Sequence, residues 1–435
     1  MGKNSASETG RPELRVLKQG EWDVWYDTLI RAFGGVPEAA EERELWDKLL
    51  DPDRALGAWD GETCVATAGA FAFRLTVPGG AALPAAGVTM VSVAATHRRR
   101  GLLTSMMRRQ LDDVRAWGWP LAILTASEPQ IYGRFGYGIG SFQVSAEIDT
   151  TRVGLSVPPG TDDVHLRYAV PADVLDVCEA VYARRVSGRP GMIARIPGWE
   201  RLGLVDPESE REGASPLQCV LAERIGGSEA TSVEGGGGRR AGGEVVGYAR
   251  FHVKPDWDAS GAKGAVRLRD LHALDPAAQA ALWRFLFDID LTSTVKAYAR
   301  PVDESWQYQV SDIRRCAVRV RDALHVRLVD VGAALQERTY QAPVDVVFEV
   351  EDAFCPWNAG RWRLSGDAKG ASCERTTDAA DLALSVRELG AAYLGGVSLA
   401  ALGAAGRVRE LRQGALTEAS VGFASVVAPW LPHGF

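Results

Sequence analysis

Apolar and polar positions along the chain change period several times, and each change marks an element. Val88, Met90, Val91 and Val93 lie in a β-rich run that stops at the polar cluster His97-Arg98-Arg99-Arg100-Gly101. Beyond it, apolar residues return at Leu102, Leu103, Met106, Met107, Leu111, Val114 and Trp117, the spacing of a helix buried along one face. This stretch predicts a strand, a tight basic turn, and a helix that begins at the glycine.

The flanking pattern predicts an α/β fold. Glu13–Lys18 reads as a strand, and Trp22–Phe33 has helical spacing at Trp22, Trp25, Leu29, Ile30 and Phe33. Ala55–Trp59 and Val65–Val77 read as strands joined at the turn dipeptide Asp60-Gly61. Gly and Pro accumulate through Asp149–Pro158, where a first domain is expected to close. A second α/β unit follows, with helices over Ala172–Arg185 and Pro276–Asp288 and strands over Leu217–Glu223 and Val245–Val253. Between those strands, Gly226–Gly243 has the composition of a flexible surface loop. After Ala323 come strands over Leu324–Val329, Val344–Val350 and Trp362–Leu364, with Asp330–Gln336 helical, and then Ala383–Val386 leading into Arg387–Leu394. The expected divisions are 1–155, 156–315 and 316–435.

Length agrees with this count, since 435 residues hold about three domains at ~150 residues each. An apolar fraction of 46% with 24% charged residues is that of a soluble globular chain. The net charge of −7 argues against a nucleic-acid partner and suits a cationic small substrate. The six cysteines are scattered with no Cys-x-x-Cys pair, so neither a metal site nor a disulfide frame is expected. No apolar run approaches the ~20 residues of a membrane span. The first dozen residues lack the apolar core of a signal peptide, and a cytoplasmic setting is expected.

The basic turn has a chemical use. The first turn of a helix carries backbone N–H groups without intrahelical partners at the positive end of its dipole, and phosphate oxygens satisfy both. A glycine there admits an anion close to the backbone, and arginines alongside add charge-assisted hydrogen bonds. Taken alone, the same residues also describe a solvated basic helix start.

A second motif narrows the choice. Arg98-Arg99-Arg100-Gly101 resembles the Arg/Gln-x-x-Gly-x-Gly/Ala pyrophosphate loop of the GNAT acetyltransferases, with Leu103 where the general pattern has a small residue. Tyr132-x-x-x-Gly136-Tyr137 is similar to the Tyr-x-x-x-Gly-Phe element that ends their acetyl-coenzyme A site. With Ile131–Gly138, these features resemble the enhanced intracellular survival (Eis) subfamily. The resemblance implies tandem GNAT-like domains, the second without a coenzyme A site, followed by a sterol-carrier-like domain, and a homohexamer. It also implies an acetyl-coenzyme A-dependent N-acetyltransferase, with no metal, acting on a polycationic small molecule such as an aminoglycoside or on lysine side chains.

By this resemblance Val91, Ser92 and Val93 offer backbone groups to pantetheine. Arg99, Arg100, Gly101, Leu102, Leu103 and Thr104 wrap the pyrophosphate, while Ser127 and Glu128 meet the cofactor at the next strand end. Tyr132 holds the position of the general acid, and a phenol of pKa ~10 carries the needed proton at neutral pH. A purely packed aromatic is the other reading of that residue, and Tyr137 is expected to be structural. For the base, the resemblance points to the terminal carboxylate of Phe435, behind the apolar ending Trp430-Leu-Pro-His-Gly-Phe435. His433 and His97 remain alternatives. Trp22, Trp25, Tyr26, Asp27 and Phe33 are either acceptor-site residues or core. Two other functions fit parts of the chain: an aminoacyl-tRNA-dependent transferase, and a lipid or ligand carrier whose first domain only senses coenzyme A.

Overall fold

A computed structural model of the chain describes residues 11–224, 243–259 and 261–435. The loop expected over Gly226–Gly243 lies outside the described residues except for Gly243. The first part of the chain runs β1 (Glu13–Val16), α1 (Trp22–Ala32), α2 (Ala40–Leu49), β2 (Leu56–Asp60), β3 (Thr63–Thr76), β4 (Ala82–Val93), α3 (Leu102–Ala116), β5 (Leu121–Thr125) and β6 (Gly138–Ile139). β2 and β3 form the expected hairpin, with Asp60 opposite Thr63.

These strands make one sheet in the order β1-β2-β3-β4-β5, but β6 does not follow β5 directly. The strand Leu324–Leu328 lies between them, antiparallel to both, with Leu324 opposite Thr125 and Leu328 opposite Leu121. The reverse exchange also occurs. Phe142–Asp149 leaves the first sheet and pairs with Thr292–Pro301 and Arg319–Asp322 in a second, seven-stranded sheet. The divisions expected near 155 and 315 are therefore not sheet boundaries. Alternation along a strand states which face is buried, and carries no information about which neighbour it pairs with.

The second sheet is covered by helices Leu175–Val186 and Pro276–Phe287. The latter starts with Pro276 in its first turn and the Asp275 carboxylate accepting from Ala278 N–H. A five-stranded third sheet, with Val344–Glu351 at its centre, carries helices Val331–Gln336, Val386–Ala392, Leu399–Ala404 and Ala415–Phe423.

The first and third sheets share one apolar core, from Trp25 and Phe71 through Leu324 and Val326 to Leu389 and Phe423. Contact there is close enough to dictate residue type. A Cβ on Gly138 would meet the Arg387 carbonyl oxygen at 2.0 Å, so only glycine lets β6 lie against helix Val386–Ala392. Beside it, buried Arg327 pairs with buried Asp352 at 2.7 Å. The carboxylate also accepts from Cys355 N–H (2.9 Å) and Asn358 Nδ2 (3.1 Å), which satisfies a charge pair otherwise costly to bury.

Candidate active site

The site forms where two neighbouring strands part. β4 and β5 pair in parallel only over Ala85–Gly87 and Leu121–Ile123. Past that point β4 bulges at Met90, whose φ is 53°, and its register against β3 shifts between Thr67 and Gly69. Buried Thr67 holds the bulge: its hydroxyl donates to Met90 O (2.7 Å) and lies 2.7 Å from Ser92 Oγ. Among the described residues no strand pairs with Val91–Val93 on the β5 side.

The basic turn closes one end of the opening. α3 buries Leu102, Met106, Met107, Leu111 and Val114 against the sheet, the face its spacing predicts. Gly101 caps it in the left-handed region at φ 81°, and a Cβ there would meet nothing within 4 Å. A cleft of about 680 Å³ lies over this helix start. Val91, Ser92, Val93, Arg99, Gly101, Leu102, Leu103, Thr104, Ser127 and Glu128 all line it. Arg100 is exposed and is not among the lining residues, whereas Arg98 is. Left-handed glycine, open helix start and flanking guanidinium groups fit a pyrophosphate.

A second cavity of about 630 Å³ adjoins the first, and Phe33, Val91, Ser127 and Tyr132 line both. Tyr132 opens the short turn Tyr132–Phe135, is 9% exposed, and stands edge-on to Tyr137 with ring centroids 6.0 Å apart. Burial, and then the negative charge of Glu128, raise its pKa, so the phenol keeps its proton at neutral pH. Tyr137 is fully buried with its hydroxyl unpartnered, and burial raises its pKa further. Its place is in the core.

The far wall of the second cavity includes the end of the chain. Thr125 at the tip of β5 donates to the backbone oxygen of Phe435 at 3.2 Å, and the Phe435 ring meets Phe73 edge-on at 5.0 Å. His433 lines the same cavity, and both its ring nitrogens are buried. Burial, with Arg195 adding to it, pushes its pKa down to about 3, leaving a neutral ring and a weak base. His97 lies over the cleft instead, with Nδ1 2.8 Å from Thr96 Oγ1 and Nε2 3.4 Å from Asp60 Oδ2.

The α1 residues divide. Trp25 is core, its indole donating to Leu56 O at 2.8 Å, and half-buried Trp22 stacks on it and on Tyr26. Asp27 pairs with Arg43 at the surface. Tyr26 and Phe33 reach the second cavity, where the Tyr26 hydroxyl donates to the Glu38 carboxylate. The sequence reading missed Glu38, Glu42, Arg321 and Asp322, which also line this cavity. The spacing of Glu38 and Glu42, one turn apart where α2 begins, was the available signal. Nothing local marks Arg321 and Asp322, which end the edge strand Arg319–Asp322 of the second sheet. Burial, then Glu38, raises the Glu42 pKa, as expected of carboxylates crowded together. Among the described residues no group of three or more His, Cys, Asp or Glu side chains is placed to hold a metal ion. No helix of these residues is long and apolar enough to cross a membrane.

Comparison with known proteins agrees with this geometry. Profiles described as acetyltransferase (GNAT) domains match residues 13–140 and 236–328, and a sterol carrier protein domain profile matches 331–432. An uncharacterized N-acetyltransferase of Streptomyces avermitilis is 73% identical over 97% of this chain and 99% of its own. N-acetyltransferase Eis of Mycobacterium tuberculosis is 32% identical over 89% of this chain and 90% of its own. The chain belongs to the Eis family of GNAT N-acetyltransferases. The crystal structure of Eis1 from Mycobacterium abscessus superposes with a TM-score of 0.79 at 31% identity, over 97% of this chain and all of that one. As in any Eis-type enzyme, the GNAT fold implies acetyl-coenzyme A as acyl donor and a separate acyl acceptor. The tandem GNAT and sterol-carrier architecture expected from sequence is thus shown, as is the N-acetyltransferase class.

Proposed function

We propose that the protein transfers an acetyl group from acetyl-coenzyme A to an amine of a cationic acceptor, either a polycationic small molecule of the aminoglycoside kind or a lysine side chain. The observation that carries this reading is the junction of two cavities at Tyr132, one over the basic helix start and the other bounded by the Phe435 carboxylate.

In this reading Arg98, Arg99 and the α3 N-terminus hold the pyrophosphate, and the backbone of Val91–Val93 holds the pantetheine arm. The thioester then lies near Tyr132. An ammonium acceptor of pKa ~10 is drawn to the terminal carboxylate, which has an ordinary pKa of ~3.5. The ammonium gives up one proton to water and attacks as the free amine. The carboxylate orients it and takes the second proton from nitrogen, directly or through water, as the N–C bond forms. The C–S bond breaks, the departing thiolate takes its proton from the Tyr132 hydroxyl, and the phenolate regains one from solvent. Glu38, Glu42 and Asp322 set a negative wall that favours an acceptor with further cationic groups, against the one guanidinium of Arg321. Assembly into a homohexamer and a cytoplasmic setting complete the reading. The buried, unbridged state of all six cysteines is consistent with a reducing compartment.

Incubation with acetyl-coenzyme A and a panel of mono- and polyamines, read by free-thiol release and product mass, tests it. Mass increments of one or more acetyl groups on polycationic amines are expected. Thiol release without acetylated product on any amine would overturn the reading.

A further inference from the structure

The second GNAT-like domain shows no pyrophosphate turn in its sequence, yet it grips the end of the chain. Arg189 follows helix Leu175–Val186, and Asp303 follows strand Thr292–Pro301. The two pair at 2.7 Å and hold one residue of the tail by both its backbone groups. Arg189 Nη1 donates to Ala428 O (2.7 Å), and Ala428 N–H donates to Asp303 Oδ2 (2.8 Å). Two residues on, Trp430 N–H donates to Pro190 O (2.9 Å) and its indole to Ala299 O (2.7 Å). The Trp430 ring is 1% exposed, between His272 (5.6 Å) and the guanidinium of Arg300 (5.2 Å). Only then does the tail cross to the first domain, where Phe435 meets Thr125 and Phe73.

A chain end is ordinarily frayed, and a carboxylate that acts on a substrate must be held to within a fraction of an ångström. Among the described residues Phe435 accepts a hydrogen bond from Thr125 and packs its ring on Phe73 at the border of the core. The stronger restraint lies upstream. Asp303 and Arg189 satisfy both backbone groups of Ala428, and each also neutralises the other, so the latch adds no unpaired charge beside the cavity. We infer that Arg189 and Asp303 are positioning residues for acetyl transfer: through Ala428 they fix where the Phe435 carboxylate ends, and this is a working role for the second domain. The inference rests on the terminal-carboxylate reading above.

Asp303→Ala tests it in the full-length protein, with Asp303→Asn as the conservative variant that keeps an acceptor for Ala428 N–H. The expected result for Asp303→Ala is a tenfold to hundredfold fall in kcat, on the order of what a misplacement of ~1 Å produces. The KM for acetyl-coenzyme A should not change, the KM for the amine should rise, and Asp303→Asn should regain most of the rate. Circular dichroism and acetyl-coenzyme A titration verify that both variants are folded. A purely structural latch would lower the melting temperature and leave kcat of the folded enzyme at the wild-type value, which would overturn the inference. Equal changes in both KM values would overturn it too, since they indicate general loosening. A few residues appended after Phe435 separate this from the parent reading. Loss of activity in the extended chain with wild-type kcat in Asp303→Ala removes the latch alone, whereas full activity in the extended chain removes the carboxylate mechanism itself.

Discussion

The Thr125 hydroxyl and the backbone oxygen of Phe435 are 3.2 Å apart, although 310 positions separate them in the chain. The bond sits at the tip of β5, just past the point where β4 departs, so the last residue closes the gap that the first sheet opens. Moving the carboxylate should therefore act on turnover before it acts on folding. Deleting Phe435 retracts it by about one residue, ~3.5 Å, and removes the ring from Phe73. We expect a fall in kcat of at least ~10²-fold, with the melting temperature nearly unchanged. Stopped-flow thiol release against a saturating amine measures it, and a rate within threefold of wild type would refute the prediction.

Tyr132→Phe keeps the ring against Tyr137 and loses only the proton. Turnover should drop ~10²–10⁴-fold, the usual range for general acid–base groups, while calorimetric affinity for acetyl-coenzyme A stays constant. The pH profile follows from the sign of the shift. Burial and Glu128 raise the phenol pKa, so the acid form persists through the neutral and mildly alkaline range. Wild-type kcat should thus show no loss of an acid between pH 7 and about 10, the ordinary tyrosine value. A descending limb centred near pH 8 would assign the acid to another group.

Gly101→Val combines two effects, and a control separates them. Gly101 and Gly118 flank the same helix, with φ of 81° and 73°, and a Cβ at either meets open space. Both substitutions carry the left-handed strain of about 1–2 kcal/mol. Only the one at 101 places a side chain over the cleft. Acetyl-coenzyme A affinity should fall at least tenfold in Gly101→Val and stay at the wild-type level in Gly118→Val. Equal affinities in the two variants would take the pyrophosphate away from this turn.

Asp352→Ala leaves the Arg327 guanidinium, fully buried beneath the turn that carries Tyr132, without its counter-charge. Breaking one side of such a pair costs about 3–5 kcal/mol. Urea unfolding followed by tryptophan fluorescence should show an earlier transition. An unchanged midpoint would mean that the three hydrogen bonds to this carboxylate are replaced by others.

The cleft over the basic turn was legible because its information is local. One strand, one turn and one helix carry Val91 through Thr104, and period and glycine placement specify them without reference to distant residues. Arg98 and Arg99 line that cleft and Arg100 does not, and composition alone does not say which pair does. The second cavity was legible only at its edges. Its wall draws Glu38 from the loop before α2, Glu42 from the first turn of that helix, Asp322 from an edge strand of another sheet, and Phe435 from the far end of the sequence. Such a wall is a product of tertiary placement. The exchanged strands escaped notice for the same reason, since Leu324–Leu328 has the alternation of a strand in any sheet. Only its register with β5 reveals which one.

That inserted strand has a consequence for how the protein is made. Until residue 328 has emerged, β5 presents an open row of backbone donors and acceptors, an edge able to pair with any passing chain. The nascent first domain must wait, partly folded, while the entire second domain is synthesised. Cutting the gene after the first family match, at residue 140, would make that waiting state permanent. The excised domain should aggregate through β5, and supplying Leu324–Leu328 as a separate peptide should keep it in solution.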